Sequence, residues 1–120
     1  MPEFIFNNKL YYNPVEYALA QIGGTWKMPI LWRLRDKTLR YGELKKSIPH
    51  ISDKMLSTEL KDLVTNGFLN RKAYNSVPPR VEYSITEKGL KVIPIINTIR
   101  DFGLDLMEEA GIDFDKKYRH

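Results

Sequence analysis

The chain has 120 residues, 42% of them hydrophobic and 28% charged, with a formal charge of +4. That length holds one hydrophobic core and therefore one domain, and the composition is that of a folded chain rather than a disordered one. The absence of cysteine excludes disulfides, thiolate metal sites and cysteine nucleophiles, and no apolar run approaches the roughly 18 residues of a membrane span.

The opening Met-Pro-Glu-Phe-Ile-Phe carries an acid and lacks the cationic segment of a signal peptide, so a cytoplasmic protein is expected. Residues 1–12 read as an arm. Phe4, Ile5, Phe6, Leu10, Tyr11 and Tyr12 make it too apolar for a free tail and too irregular for a helix. Such an arm packs on its own domain or on a second subunit. At Asn13-Pro14-Val15-Glu16 a helix begins, because asparagine caps, proline suits the first helical position and glutamate at the third can reach back to the cap. Val15, Ala18, Leu19 and Ile22 form its apolar stripe, and Gly23-Gly24 ends it. Thr25 is placed to cap a second helix carrying Trp26, Ile30, Leu31 and Leu34, with Pro29 in the first turn, where proline is tolerated. Trp26 and Trp32 read as core or subunit-interface residues.

From Tyr41 to Gly67 the pattern is helix, sharp turn, helix. Leu44 and Ile48 give the first helix a short apolar stripe, and Pro49-His50-Ile51 breaks it. Ser52 offers a hydroxyl cap and Asp53 a charge that suits the helix dipole. Leu56, Leu60 and Leu63, flanked by Met55 and Val64, form the buried side. Lys54, Ser57, Thr58, Lys61 and Thr65 project from the opposite side as a cationic, hydroxyl-bearing ridge. That chemistry suits phosphates and base edges; the plainer reading is a solvated helix face.

Phe68 to Tyr74 and Val81 to Ile85 read as two strands joined by the stiff Asn75-Ser76-Val77-Pro78-Pro79-Arg80 tip. Arg71, Lys72 and Arg80 lie on or beside this hairpin, and Arg80 has the alternative of a same-face ion pair with Glu82. Thr86 caps the next helix, which Pro94 splits or kinks. Leu90, Val92 and Ile93 precede that point; Ile95, Ile96, Ile99, Phe102 and Leu106 follow as a wide apolar face, suited to pairing with a second copy or to packing on the domain itself. The domain spans 13–111, and 112–120 is expected to be a frayed tail.

A helix-turn-helix followed by a two-stranded ribbon makes the fold class α+β and mainly helical: a winged helix-turn-helix with flanking N- and C-terminal helices. From Tyr41 to Arg80 there are seven Lys and Arg against four acids, whereas Asp101 to Asp115 holds six acids and no base. Positive charge therefore gathers on the helix-turn-helix and hairpin, where double-stranded DNA would lie.

The runs Asn13-Pro-Val-Glu-Tyr-Ala-Leu-Ala-Gln-Ile-Gly-Gly-Thr-Trp-Lys27, Ile51-Ser-Asp-Lys-Met-Leu56 and Val77-Pro-Pro-Arg-Val-Glu-Tyr-Ser-Ile-Thr86 together resemble the HxlR-type transcriptional regulators, bacterial winged-helix proteins related to the MarR group. The resemblance covers about residues 13 to 107. It implies a homodimer on an inverted-repeat operator, a recognition helix at Ser52 to Asn66, and a repressor or activator acting near its own promoter. In one respect the chain departs from the family, which commonly has cysteine just before the Pro-Val-Glu run. Asn13 stands there, so sensing through a thiol is excluded.

On this reading Lys45, Lys46, Arg71, Lys72 and Arg80 contact phosphates. Ser52, Asp53, Lys54, Ser57, Thr58 and Lys61 reach bases. Tyr11, Val15, Leu19, Ile95, Ile99, Phe102 and Leu106 form the dimer interface. A winged helix that binds another protein is the alternative, marked by a co-purifying partner and no salt-sensitive duplex binding. An enzyme is not expected: His50 lies in a turn, His120 is terminal, Asp113 and Asp115 lie in the polar tail, and no phosphate loop or metal-ligand spacing occurs. No cofactor or metal is expected. A small-molecule effector could use Tyr11, Tyr12, Tyr17, Trp26, Trp32 and Phe102, which otherwise serve as core.

Overall fold

The computed structural model describes residues 2–113. Its N-terminal arm is a β-hairpin, with β1 (Phe4–Phe6) antiparallel to β2 (Lys9–Tyr11) and Ile5 opposite Leu10. Asn7 and Asn8 make the turn at φ 50° and 62°. Two consecutive left-handed residues are what a tight hairpin demands, and asparagine tolerates that conformation better than other side-chain-bearing residues. An isolated two-stranded hairpin is marginal in water; this one is held by rings. Phe4 stacks on Tyr11 at 5.4 Å, and Tyr17 of the following helix meets both edge-on, 5.4 Å from Phe4 and 5.0 Å from Tyr11. The arm thus packs on its own domain.

Helix α1 (Pro14–Ile22) begins as its sequence predicts, with the Asn13 side chain accepting the Glu16 N–H at 2.9 Å. The Glu16 carboxylate overshoots the cap and accepts the N–H of Tyr12 at 3.3 Å. After Gly23, Gly24 takes φ 86° and redirects the chain. Helix α2 (Lys27–Arg33) starts one residue later than a Thr25 cap would require. Trp26 occupies the cap position with no side-chain bond; burial of Ile30, Leu31 and Leu34 holds this helix instead.

Next come β3 (Leu39–Arg40), α3 (Tyr41–Ser47), α4 (Asp53–Thr65), β4 (Leu69–Tyr74) and β5 (Arg80–Ile85). The sheet order is β3-β5-β4, all antiparallel, so the two-stranded ribbon gains a third strand at its base. Leu44, Ile48, Ile51, Leu56, Leu60 and Leu63 meet Ile30, Leu31 and Leu34 in one core, closed by Leu69 and Tyr83 of the sheet. Each fully buried leucine contributes about 1.5–3 kcal/mol, so the angle between α3 and α4 is fixed by packing.

Helices α5 (Glu87–Leu90) and α6 (Val92–Glu109) are separated at Lys91. Pro94 is the third residue of α6, so it splits the segment from within the first turn rather than kinking a continuous helix. Lacking an N–H, it cannot bond back to Leu90, and the ladder ends there. Val92 and Leu104 of α6 are buried, Leu104 unforeseen from the sequence, while Ile95, Ile99, Phe102 and Leu106 point outward. Of the expected tail, 112–113 carry no helix or strand and 114–120 lie outside the described residues.

Thr86 holds three elements together. Its Oγ1 accepts the Gly89 N–H at 3.0 Å, capping α5, and donates to the Gly67 carbonyl at 2.7 Å where α4 ends. Thr86→Ala should therefore cost about 1–2 kcal/mol. The check is urea unfolding, in which the midpoint falls while the slope stays unchanged.

Candidate nucleic-acid interface

The turn between α3 and α4 is tight because His50 adopts φ 69°, a left-handed conformation rare for residues other than glycine. Ile48 and Ile51 are buried on either side of it, so the core enforces the conformation. Ser52 then caps α4, its Oγ accepting the Met55 N–H at 3.1 Å. At the far end Lys88 Nζ donates to the Asn66 carbonyl at 2.6 Å, a cation at the negative end of the helix dipole.

Leu56, Leu60 and Leu63 are sequestered, and Lys54, Thr58, Lys61 and Thr65 are exposed, as the periodicity requires. The acids are disposed differently. Glu43 accepts the Arg40 N–H at 2.8 Å. Asp53 accepts the Tyr41 hydroxyl at 3.0 Å. Glu59 and Asp62 both face Lys27 of α2, at 3.0 and 3.5 Å. Every acid between residues 41 and 65 is thus engaged by a group of its own domain, Glu59 and Asp62 by the same lysine, and Lys54 and Lys61 face solvent. Glu59 and Asp62 lie three apart on one helix face, which suits them to share a cation, but nothing local names Lys27 as that cation. Nor does anything local link Tyr41 to a carboxylate twelve residues on.

The β-ribbon divides its cations between two faces. Arg71 lies opposite Tyr83, on the side turned toward α4, whereas Lys72 lies opposite Glu82 and Arg80 opposite Tyr74, on the other side. Arg71, Lys61, Ser57, Thr65 and Tyr41 border a groove of about 400 Å³ between helix and ribbon. On the outer face the Arg80 guanidinium sits 4.0 Å from the Tyr74 ring centre, with Nε 3.7 Å from a Glu82 carboxylate oxygen. Arg80 and Glu82 thus do lie together on one face. Lys72 Nζ also lies over Tyr74, at 5.0 Å. Lys45 is half-buried and Lys46 exposed in the last turn of α3.

A short helix, a tight turn, a capped second helix with a free cationic side and a ribbon beside it constitute a winged helix-turn-helix. The profile of the HxlR-like helix-turn-helix family matches residues 21–110. The chain belongs to this family. An HTH-type transcriptional regulator of Bacillus subtilis, YdzF, is 46% identical over 92 residues, 76% of this chain and 84% of that protein. A solved structure from Porphyromonas gingivalis W83, described as a MarR-family transcriptional regulator, superimposes with a TM-score of 0.72 at 47% identity, covering 76% of this chain and 89% of the other. The reduced form of the redox regulator HypR gives 0.74 at 36% identity, covering 81% and 99%.

As an HxlR-like protein the chain is a DNA-binding helix-turn-helix transcriptional regulator. The hairpin over residues 4–11 precedes the span matched by the family profile. With no cysteine, this HxlR-like chain has no thiol through which to sense oxidants. Among the described residues, no group of three or more His, Asp or Glu side chains could hold a metal ion, and no helix is long and apolar enough to cross a membrane.

The residues expected at a dimer interface separate into two sets. Val15, Leu19, Ile95, Ile99, Phe102 and Leu106 are exposed. Val15, Leu19, Ile95 and Ile99 border one apolar groove, which brings α1 and α6 side by side. Tyr11, by contrast, is buried beneath Phe4 and against Tyr17, covered by its own chain. Of the aromatics considered for an effector pocket, Tyr17 borders an apolar cavity of about 300 Å³ with Phe68, Val92 and Ile95. Trp32 is instead covered by Arg35, 4.0 Å above its ring.

Proposed function

We propose that this chain is a sequence-specific regulator that binds an inverted-repeat operator as a homodimer, with α4 in the major groove and the ribbon on flanking phosphates or the adjacent minor groove. The observation that carries this reading is the disposition of charge on the helix-turn-helix: its acids each have a partner within the domain, while Lys54 and Lys61 are exposed on the side of α4 opposite the leucines.

Lys54 and Lys61 would donate to guanine O6 and N7, and Ser52, Asp53, Ser57 and Thr58 would contact neighbouring base edges. Lys45, Lys46, Arg71, Lys72 and Arg80 would neutralise phosphates, with Arg71 and Lys61 bordering the same groove. Two-fold pairing sets half-sites about 10 base pairs apart or a multiple of that.

Anisotropy titrations at several salt concentrations, on duplex DNA from upstream of the protein's own coding region, test this division. Arg80→Ala should weaken binding to all sequences alike and reduce the salt slope by about one unit. Lys54→Ala or Ser57→Ala should instead change discrimination by about 1–3 kcal/mol at the affected base pair. An unaltered slope for Arg80→Ala would remove its phosphate role; binding without salt dependence would remove the DNA reading.

A further inference from the structure

Tyr41 is the first residue of α3, yet its hydroxyl lies among polar atoms of α4. It is 3.0 Å from Asp53 Oδ1, 3.2 Å from the Asp53 carbonyl oxygen and 3.3 Å from Ser57 Oγ. A phenol has one proton to give, and a carboxylate can only accept. The carboxylate is the nearest acceptor and, being charged, the strongest. The proton therefore points to Asp53, and the contact with Ser57 is the serine hydroxyl donating to the tyrosine oxygen. Burial raises the Tyr41 pKa above its ordinary value, as do the hydrogen bond to Asp53 and its charge, while the bond from Ser57 acts in the opposite direction. The phenol keeps its proton at neutral pH, and the order Ser57 to Tyr41 to Asp53 is maintained.

This relay settles what the first two turns of α4 can offer a partner. Ser57 has spent its only proton and presents lone pairs. Asp53 presents its second carboxylate oxygen, and both residues are exposed. The N-terminal turns of a recognition helix are the part that meets base edges. In the major groove the donors are cytosine N4 and adenine N6, whereas guanine and thymine present acceptor oxygens that a fixed acceptor repels.

We propose that Tyr41 is a positioning residue for base recognition: by ordering Asp53 and Ser57 as acceptors, it makes this part of α4 select an exocyclic amine, on cytosine or adenine, at one position in each half-site. The inference rests on the DNA-binding reading above and deepens it. Donors on the ridge, Lys54 and Lys61, would select guanine at neighbouring positions, so one helix carries two opposite chemistries within little more than two turns.

The test is selection from a duplex library with a randomised core, using the full-length parent and its Tyr41→Phe, Asp53→Asn and Ser57→Ala variants, with thermal midpoints measured in parallel. The parent should enrich a motif with cytosine or adenine at one position per half-site. Tyr41→Phe, which keeps the ring packing, should relax that position by about tenfold and leave the rest of the motif intact. Asp53→Asn should relax the same position, because an amide can donate as well as accept. Two results overturn the proposal while leaving DNA binding standing: an unchanged motif in both variants, or a uniform loss of binding to all sequences in Tyr41→Phe. Should Tyr41→Phe melt near the assay temperature, the Asp53→Asn and Ser57→Ala motifs decide by the same criterion. A parent that enriches no motif sinks the DNA reading itself and this inference with it.

Discussion

Ile99→Glu combined with Phe102→Glu is expected to convert the protein from paired to single chains and to lower operator affinity by about 10²–10⁴-fold. In the single chain Phe102 is 63% exposed, Val15 64% and Ile99 47%, on adjacent faces of α1 and α6. The radius of gyration is 16.5 Å, against the roughly 13–14 Å of a compact chain of this length. An extended domain that leaves such a stripe open has an incentive to cover it with a second copy. Two-fold symmetry places each new carboxylate in the interface twice, and an unpaired buried charge is far costlier than the apolar contact it replaces. Sedimentation equilibrium should give a two-chain mass for the parent and a one-chain mass for the variant. Because both side chains are already exposed in the isolated domain, its far-UV circular dichroism should stay the same. A parent that sediments as a single chain at micromolar concentration would end the dimer proposal, as would a variant that still pairs.

Gly89→Ala is expected to destabilise the fold by about 3 kcal/mol, the upper part of the range for overpacking a filled site. A Cβ there would overlap the Phe68 carbonyl oxygen and stand 2.6 Å from Ile85 Cγ1. The carbonyl cannot yield easily, because it accepts the Thr86 N–H at 3.1 Å. Gly89 lies where α5 crosses the base of the ribbon, so whatever movement relieves the overlap also shifts the ribbon relative to α6. Gly42→Ala is the control. A Cβ at Gly42 meets nothing within 4 Å, and the substitution should stabilise by up to about 1 kcal/mol through backbone entropy. Thermal unfolding of the two variants beside the parent checks both signs; equal midpoints for all three would show that the close approach at Gly89 relaxes at no cost.

Most of the DNA-facing unit was legible from periodicity and turn chemistry. Ser52 as cap, the leucine stripe of α4, the two long strands and Thr86 as cap each rest on spacing within a few residues, where local geometry dominates. The hairpin at residues 4–11 went unread because its strands are three residues each, too short for alternation to register, although Asn7-Asn8 is the kind of pair a tight turn employs. Strand β3 has two residues and exists only because β5 is there to pair with it. Thr25 was read as a cap on residue type alone, but α2 is packed into place rather than capped.

By itself the sequence determined which faces are apolar, where most of the helices begin and end, and that the chain has no cysteine. These follow from residue type and short-range order, and they suffice for the fold class and the family. The tertiary structure alone decided which charges are free. Lys27 meets Glu59 and Asp62 from another helix, Tyr41 reaches Asp53 across the turn, and Arg71 parts company with Lys72 and Arg80 because strand pairing sends adjacent side chains to opposite faces. Electrostatic partners are set by distance in space, and a helix packed against its neighbours brings together groups whose separation along the chain carries no trace of it.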